Sequence, residues 1–197
     1  MKILVFADPH GSQTAFEKVE KLAKKKKVNY IACVGDITIF EQGLAKIIEQ
    51  IDKWNIPILM IHGNHEERKI MEHLCKVTRN IRFIHKKAFR VDNVLFLGYG
   101  GGGFATEDPE FDLLAKSWKK KIKKDDKVIM VTHQAPYGAV DEVLDMHAGS
   151  QSITKFIIDN QPKFCFVGHL HETFDMEEKI GKTRVINPGP YGKVFEV

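Results

Sequence analysis

The segment "FCFVGHLHE", residues 164–172, joins a short apolar run to two histidines that lie one residue apart. Apolar runs of this length, bounded by glycine and polar residues, are typical of buried β-strands. His169 and His171 therefore follow directly on the carboxyl end of a predicted strand. A lone histidine is more often structural than a metal ligand, so the meaning of this pair depends on what ends the other strands.

Four further apolar runs end in a residue that can bind a metal ion. They are "LVFAD" ending at Asp8, "ACVGD" ending at Asp36, "LMIHGN" ending at Asn64 and "IMVTH" ending at His133. Ligands of open α/β sheets bind outside the carboxyl ends of the strands. We therefore expect these four side chains, His10 and the histidine pair to converge on one edge of a sheet.

The rest of the chain alternates apolar strands with amphipathic segments, which predicts a layered α/β fold. Helices are predicted over 12–27 with Ser12 as N-cap, and over 41–54, 66–76, 109–124 and 152–160. The tail predicts short antiparallel strands with a turn at Gly181. Because 197 residues contain no linker or repeat, we expect one domain over residues 1–197.

Composition indicates an ordinary globular chain, with 43% hydrophobic residues and a net charge of +4. No apolar run approaches the ~20 residues that cross a bilayer. The N-terminus turns acidic at Asp8, too early for a signal-peptide core, so we expect a cytoplasmic protein without a membrane partner. Three cysteines without a CxxC pair predict reduced, structural thiols.

Two lysine runs, "KKKK" at 24–27 and "KKKIKK" at 119–124, each close a predicted helix. Cations at that end complement the helix dipole, and such runs usually form a solvated face. They could also attract anionic substrates or nucleic acid, but Trp118 is the only aromatic residue beside them. Nucleic acid is therefore a possible partner that the sequence does not favour, and the sequence leaves the oligomeric state open.

The predicted ligands mix carboxylate, imidazole and amide groups. This mixture suits Mn, Fe, Zn or Ni rather than Ca. One carboxylate can bridge two cations about 3.5–4 Å apart, as in two-metal hydrolytic sites. We expect two divalent transition-metal ions, with manganese as the first candidate and iron, zinc or nickel as alternatives.

The motifs resemble, in order, the five motifs of the calcineurin-like metallophosphoesterases. They are "DPH" at 8–10, "GD" ending at Asp36, "GNHE" at 63–66, the strand-end His133, and "GHLH" at 168–171. They span nearly the whole chain. The resemblance implies two packed mixed β-sheets flanked by helices, a four-layer α/β/β/α sandwich.

The resemblance also implies a role for each site residue. The first metal would be held by Asp8, His10, Asp36 and His171, and the second by Asp36, Asn64, His133 and His169. His65 would contact the phosphate and protonate or stabilise the leaving oxygen. A metal-activated hydroxide would be the nucleophile.

The chain departs from the protein Ser/Thr phosphatases of this superfamily, which carry a GDxVDRG stretch. Here "GDITIFEQG" places Ile39 and Phe40 where the second Asp and the phosphate-gripping Arg would stand. A phosphoprotein phosphatase is therefore not expected. With that Asp absent, Glu66 becomes the candidate to orient His65 in the pocket.

The stretch "HQAPYGAVDEVLDMHAGS", residues 133–150, resembles a small prokaryotic branch related to cyclic-nucleotide phosphodiesterases. That resemblance implies that Asp141, His147 and Ser150 line or support the pocket. Alternatively, Ser150 caps the next helix and His147 is a loop residue. The run "GYGGGGF" at 98–104 lacks the rest of a P-loop and predicts a loop that passes close to the site.

Together these features predict a metal-dependent phosphoesterase that hydrolyses a small phosphodiester, which could be nucleotide-like. A small-molecule phosphomonoesterase and a nuclease of the same superfamily are the alternatives. A non-catalytic scaffold is the alternative from another class, since fold alone does not decide function.

Overall fold

The computed structural model describes residues 1–197, which form five α-helices and two large β-sheets. The helices are α1 (Gln13–Lys26), α2 (Leu44–Asp52), α3 (Arg68–Lys76), α4 (Pro109–Lys119) and α5 (Gln151–Asn160). The strands are β1 (Lys2–Phe6), β2 (Tyr30–Cys33), β3 (Ile58–Met60), β4 (Ile81–Phe83), β5 (Lys87–Val91), β6 (Val94–Tyr99), β7 (Lys127–Thr132), β8 (Glu142–Val143), β9 (Met146–His147), β10 (Phe164–Phe166), β11 (Glu177–Ile180), β12 (Thr183–Ile186) and β13 (Lys193–Glu196).

Both large sheets are mixed, with parallel strands at their centres. The first has the order β13-β1-β2-β3-β4, and only β13 runs antiparallel to its neighbour. The second has the order β11-β12-β10-β7-β6-β5, with antiparallel strands at both edges. The predicted turn at Gly181 connects β11 to β12 and is confirmed.

Three buried apolar clusters separate four layers. One packs α1, α2 and α3 on the first sheet, and another packs α4 and α5 on the second. The third lies between the sheets and includes Val5, Leu59, Phe96 and Phe166. Because each central strand is covered on both faces, its sequence reads as a continuous apolar run. The predicted α/β/β/α sandwich is confirmed.

The helix predicted over 109–124 was too long, because α4 ends at Lys119. Beyond the helix, the side chains of Arg90 and Asp126 form hydrogen bonds with backbone groups of Lys121 and Lys123. The Arg90 guanidinium donates to the Lys121 carbonyl at 2.8 Å and pairs with Asp126, which accepts the Lys123 N–H at 2.7 Å. The last residues of the second lysine run therefore follow the helix in a turn.

Both lysine runs lie at the amino ends of the parallel strands. After the first run, Asn29 donates its N–H to the Lys2 carbonyl at 2.9 Å, beside the start of β1. After the second, Lys127 donates to the Asn93 carbonyl at 2.8 Å, beside the starts of β6 and β7. This edge is opposite the strand ends that carry the predicted ligands.

Cys33, Cys75 and Cys165 are buried and unpaired, as predicted. None of the helices combines the length and the apolar character that a membrane crossing requires.

Candidate metal centre

The carboxyl ends of strands from both sheets meet at one site, and all seven predicted metal ligands lie there. The Asp36 Oδ2 atom is 3.4 Å from His133 Nε2 and 3.8 Å from His10 Nε2. The Asn64 Oδ1 atom is 3.0 Å from His133 Nε2. The two sheets thus each contribute to the same cluster of acceptor atoms.

Side-chain atoms that could hold a metal ion, including an atom of His65, form three overlapping groups whose members lie within 4.8 Å of one another. The groups are Asp8 with His10 and His171, His10 with Asp36 and His65, and Asp36 with His133 and His169. Asp36 and His10 each belong to two of them, and of these two only Asp36 has a pair of oxygen atoms that can bind separate cations. Its carboxylate is therefore in a position to be shared by two cations.

Four of the strand-end residues have left-handed backbone conformations. Their φ angles are 54° for Asp8, 43° for His10, 48° for Asp36 and 71° for His169. Non-glycine residues rarely adopt this region, and such strain concentrates at functional sites. The sharp turns direct the side chains from the ends of the strands toward the centre.

Glycines before two of the ligands allow their loops to approach closely. A Cβ atom on Gly63 would lie 1.9 Å from Asp36 Oδ1, and one on Gly35 would lie 2.4 Å from the Gly63 nitrogen. Only a residue without a side chain fits at either position. This contact explains why glycine precedes Asp36 and Asn64.

Backbone carbonyls determine which imidazole nitrogens face the centre. The Nδ1–H groups of His133 and His10 donate to the carbonyls of Val34 at 2.8 Å and Thr38 at 3.0 Å. When these two rings are neutral, their Nε2 atoms therefore direct lone pairs toward the centre, as in metal-binding histidines. The His169 Nε2 atom is buried and has no hydrogen-bond partner. These features fit a cation at the centre.

The ionisation of the acidic and basic groups points the same way. Burial raises the pKa of Asp8 to about 7. Burial lowers the pKa of His133, but hydrogen bonding and charge attraction from Asp36 and Asp8 outweigh it and raise that pKa to about 9. The buried Asp8 and Asp36 carboxyl groups therefore make the centre attractive to a cation. The mixed ligand set suits a transition metal.

Glu66 does not orient His65, and this prediction was wrong. Its carboxylate is buried and accepts N–H bonds from Asp36 at 3.1 Å, Gly63 at 3.0 Å and Thr38 at 2.9 Å. It also accepts the Thr38 hydroxyl at 2.8 Å. Because these donors saturate both oxygens, Glu66 ties two ligand loops together beneath the site and does not line a pocket.

Replacing Glu66 with Gln should lower both stability and metal affinity. The new NH₂ group would face backbone N–H donors, which costs about 1–3 kcal/mol of unfolding free energy. Metal affinity should fall by about 10–100-fold, the usual effect of disturbing the groups behind the ligands. Denaturant titration and metal-binding calorimetry would measure both effects.

The matched control is Glu67→Gln, because Glu67 is the exposed neighbour and its side chain makes no capping bond. It should behave like the parent protein. Unchanged stability and metal affinity in Glu66→Gln would show that the carboxylate is dispensable.

His65 is instead oriented by the chain at Phe40. Its Nδ1 atom accepts the Phe40 N–H at 3.4 Å, and its own backbone N–H donates to Asp36 Oδ1 at 2.9 Å. A neutral ring with Nδ1 as acceptor carries its proton on Nε2. That atom faces the centre, 3.9 Å from Asp36 Oδ2. The sequence pointed to this loop only through the absence of the expected Asp and Arg.

The residues 141–150 form a small hairpin, β8 paired with β9, that no sequence pattern predicted. Buried Asp141 accepts the His147 Nδ1–H at 2.9 Å and the Gly149 N–H at 3.0 Å. Ser150 is buried and its hydroxyl accepts the Ile153 N–H, so it caps α5. Asp141 therefore stabilises the hairpin, and Ser150 stabilises the start of α5. Both side chains are buried and do not line a pocket. His147 is exposed and remains a candidate pocket residue.

The glycine-rich loop after β6 packs against His62 and reaches the site. Gly101 donates its N–H to the His62 carbonyl at 2.9 Å, and a Cβ atom on Gly101 would lie 2.8 Å from the His62 ring. Beyond the glycines, the Phe104 ring lies with its centroid 5.0 Å from that of His169. The loop therefore brings an aromatic side chain to the centre.

Comparisons with known proteins identify the family of the chain. The family model for calcineurin-like phosphoesterases matches residues 1–173. The UPF0046 protein K07C11.7 of Caenorhabditis elegans is 27% identical over 120 residues, which is 59% of this chain and 40% of that protein. The chain thus matches less than half of that relative's length.

Two solved structures share the fold. TT1561 of Thermus thermophilus is 22% identical, with a TM-score of 0.75 and coverage of 95% of this chain and 88% of that one. An archaeal phosphodiesterase is 18% identical, with a TM-score of 0.54 and coverage of 96% of this chain and 84% of that one.

Proposed function

We propose, from the premise that this chain belongs to the calcineurin-like phosphoesterase family, that it hydrolyses small phosphodiesters with two divalent metal ions. Family membership supports a hydrolase of phosphoric esters, and the diester is our narrower proposal. The observation that carries it is the central Asp36 carboxylate, shared by two ligand groups and faced by His65 Nε2.

The residues divide into those that hold metal and one that handles a proton. Asp8, His10 and His171 would hold one ion, Asn64, His133 and His169 the other, and Asp36 both. When bound, the ions supply Lewis acidity and lower the pKa of water. His65 holds a proton at Nε2 and would donate it in a hydrogen bond to the oxygen of the departing alcohol. That bond stabilises the negative charge that develops there, and the alcohol takes its own proton from water.

The diester is favoured by the side chains at positions 39 and 40. A monoester dianion carries more charge than a diester, and arginine is the usual partner for its oxygens. Here Ile39 and Phe40 occupy the corresponding loop, and both are exposed. An apolar rim suits a substrate with two organic substituents.

A small ester is favoured over a nucleic-acid strand by the location of the lysines. The two lysine runs lie at the amino ends of the strands, and the candidate site lies at the carboxyl ends. They are therefore not placed to bind a strand that enters the site. Loss of nucleic-acid cleavage after neutralising Lys119, Lys120 and Lys121, with small-ester hydrolysis unchanged, would instead support a nuclease.

The proposal predicts that metal-stripped protein is inactive and that Mn²⁺ restores hydrolysis of a bis-aryl phosphate diester. The matching aryl monoester, assayed at the same concentration, should react more slowly. Reloading with Ca²⁺ is the control, because the ligand set does not suit it. Calorimetry on the same samples should count two bound Mn²⁺ ions.

Turnover of the monoester alone would replace the phosphodiesterase with a small-molecule phosphatase. Absence of turnover with Mn²⁺, Fe²⁺, Zn²⁺ and Ni²⁺, despite two bound ions, would support the scaffold.

A further inference from the structure

We propose that Phe40 and Phe104 form an aromatic clamp that receives the leaving group. The preferred substrates would then be phosphate esters whose leaving group carries a flat ring. This inference rests on the proposed function and names the substrate class of the same site.

Phe40 projects into solvent at the catalytic histidine. Its side chain is 72% exposed, and its ring centroid lies 4.4 Å from that of His65 with an interplanar angle of 34°. A large apolar side chain that is exposed next to a polar centre needs a reason, because burying it elsewhere would be favourable. A ligand ring that packs on its free face provides one.

The backbone holds Phe40 in this position against its own preference. Its φ angle is 45°, and that of Glu41 is 64°. For a bulky residue the left-handed region is a genuine outlier, and such conformations persist only when the surroundings impose them.

Hydrogen bonds between the turn at Phe40 and the segment of Glu66 and Glu67 impose this conformation. The Thr38 hydroxyl accepts the Glu41 N–H at 3.2 Å and donates to Glu66. The Glu41 carboxylate accepts the Glu67 N–H at 2.7 Å. The strained turn is therefore tied to the segment that carries His65, so that the ring of Phe40 and the imidazole are positioned together.

Phe104 makes the corresponding contact from the other sheet. Its side chain is 67% exposed, and its ring centroid lies 5.0 Å from that of His169. Phe40 follows β2 of the first sheet, and Phe104 follows β6 of the second. Two exposed aromatic rings thus contact two histidines of one centre from loops of different sheets.

A groove adjoins the centre next to the Phe40 segment, and neither Phe40 nor Phe104 is among the residues that line it. This groove of about 360 Å³ begins at His10 and Ile39 and is lined further along by Gln42 and Lys46. With the phosphate at the centre and its leaving oxygen at His65 Nε2, the leaving group lies on the Phe40 side. Flat rings stack on aromatic side chains, which makes this contact selective for shape rather than for charge.

The test compares two diesters whose leaving alcohols are of comparable acidity, diphenyl phosphate and bis(hexafluoroisopropyl) phosphate. In the Mn²⁺-loaded protein, Phe40→Ala should lower kcat/KM for the diphenyl ester by about 10–100-fold, the usual effect of losing one aromatic stack. Phe104→Ala should act in the same direction. Any loss on the fluoroalkyl ester should be about tenfold smaller, so that the ratio of the two kcat/KM values falls with the ring.

Two further variants distinguish stacking from mere support of His65. Phe40→Leu still covers the imidazole but has no ring, so it should lose the preference for the diphenyl ester. Phe40→Tyr keeps the ring and should keep that preference. Leu113→Ala is the matched control, because Leu113 is an exposed apolar residue on α4, outside the site. Equal losses on both diesters would show that Phe40 only positions His65, and the clamp would be wrong while the hydrolase remained.

A binding measurement separates the clamp from the reaction. Phenylphosphonate should bind the Mn²⁺-loaded protein more tightly than ethylphosphonate, and Phe40→Ala should abolish the difference. If neither diester is hydrolysed but this preference persists, the proposed function fails and the clamp stands. Equal affinity for the two phosphonates would overturn the clamp.

Discussion

Replacing His65 with Ala is expected to slow phosphodiester hydrolysis by about 10²–10⁴-fold, the usual contribution of a positioned acid. Metal binding should be preserved, because His65 is not among the seven predicted ligands. The Nε2 proton that faces the centre is lost in the variant, so the alcohol must depart without it. Initial rates and metal calorimetry on the same preparation would measure both effects.

The leaving group provides a sharper form of this test. A good leaving group needs little protonation, so the loss in His65→Ala should grow as the departing alcohol becomes less acidic. The matched control is His73→Ala, since His73 lies on α3 and belongs to none of the ligand groups. Loss of metal from His65→Ala, or an equal loss for all leaving groups, would contradict the role of His65 as a donor to the leaving oxygen.

Exchanging Asp36 for Asn is expected to remove both metal ions. The amide oxygen of the variant can still accept the His65 N–H, a bond of 2.9 Å in the parent protein, so the loop should keep its shape. The amide NH₂ would instead occupy the position of Oδ2 and donate to the His133 Nε2 atom, 3.4 Å away. The exchange therefore removes the shared carboxylate and also occupies the lone pair of His133 Nε2, so that two ligands are lost together.

Elemental analysis after dialysis against Mn²⁺ would count the bound ions, and circular dichroism would confirm the fold. Asp112→Asn is the control, because Asp112 is exposed on α4 and its exchange removes the same charge away from the site. Two ions bound at full occupancy in Asp36→Asn would exclude Asp36 as the shared ligand.

Much of the fold could be predicted from local pattern. The apolar runs that end at Asp8, Asp36, His133 and His169 are buried on both faces, so each is continuous and easy to recognise. The helices were recognisable by their amphipathic period and by caps such as Ser12, whose hydroxyl accepts the Ala15 N–H at 3.3 Å. The hairpin of β8 and β9 escaped notice because two-residue strands have no period to read.

The errors share a physical origin in contacts between distant residues. The helix α4 ends at Lys119, and Arg90, far away in the chain, binds the Lys121 carbonyl just beyond it. Glu66 adjoins His65 in sequence, yet its carboxylate turns to the loop of Thr38. In both cases a hydrogen bond between separate segments overrode what the neighbouring residues suggested.

The amino-acid sequence by itself determined the layered architecture and the residue types at the strand ends, because both follow from hydrophobic period and from the chemistry of single residues. Only the tertiary structure decided how those residues are used. It brought His10 and His171 together across most of the chain, and it left Phe40 exposed over His65. Such placements depend on how loops from two sheets pack, and loop packing is a long-range property that no local pattern records.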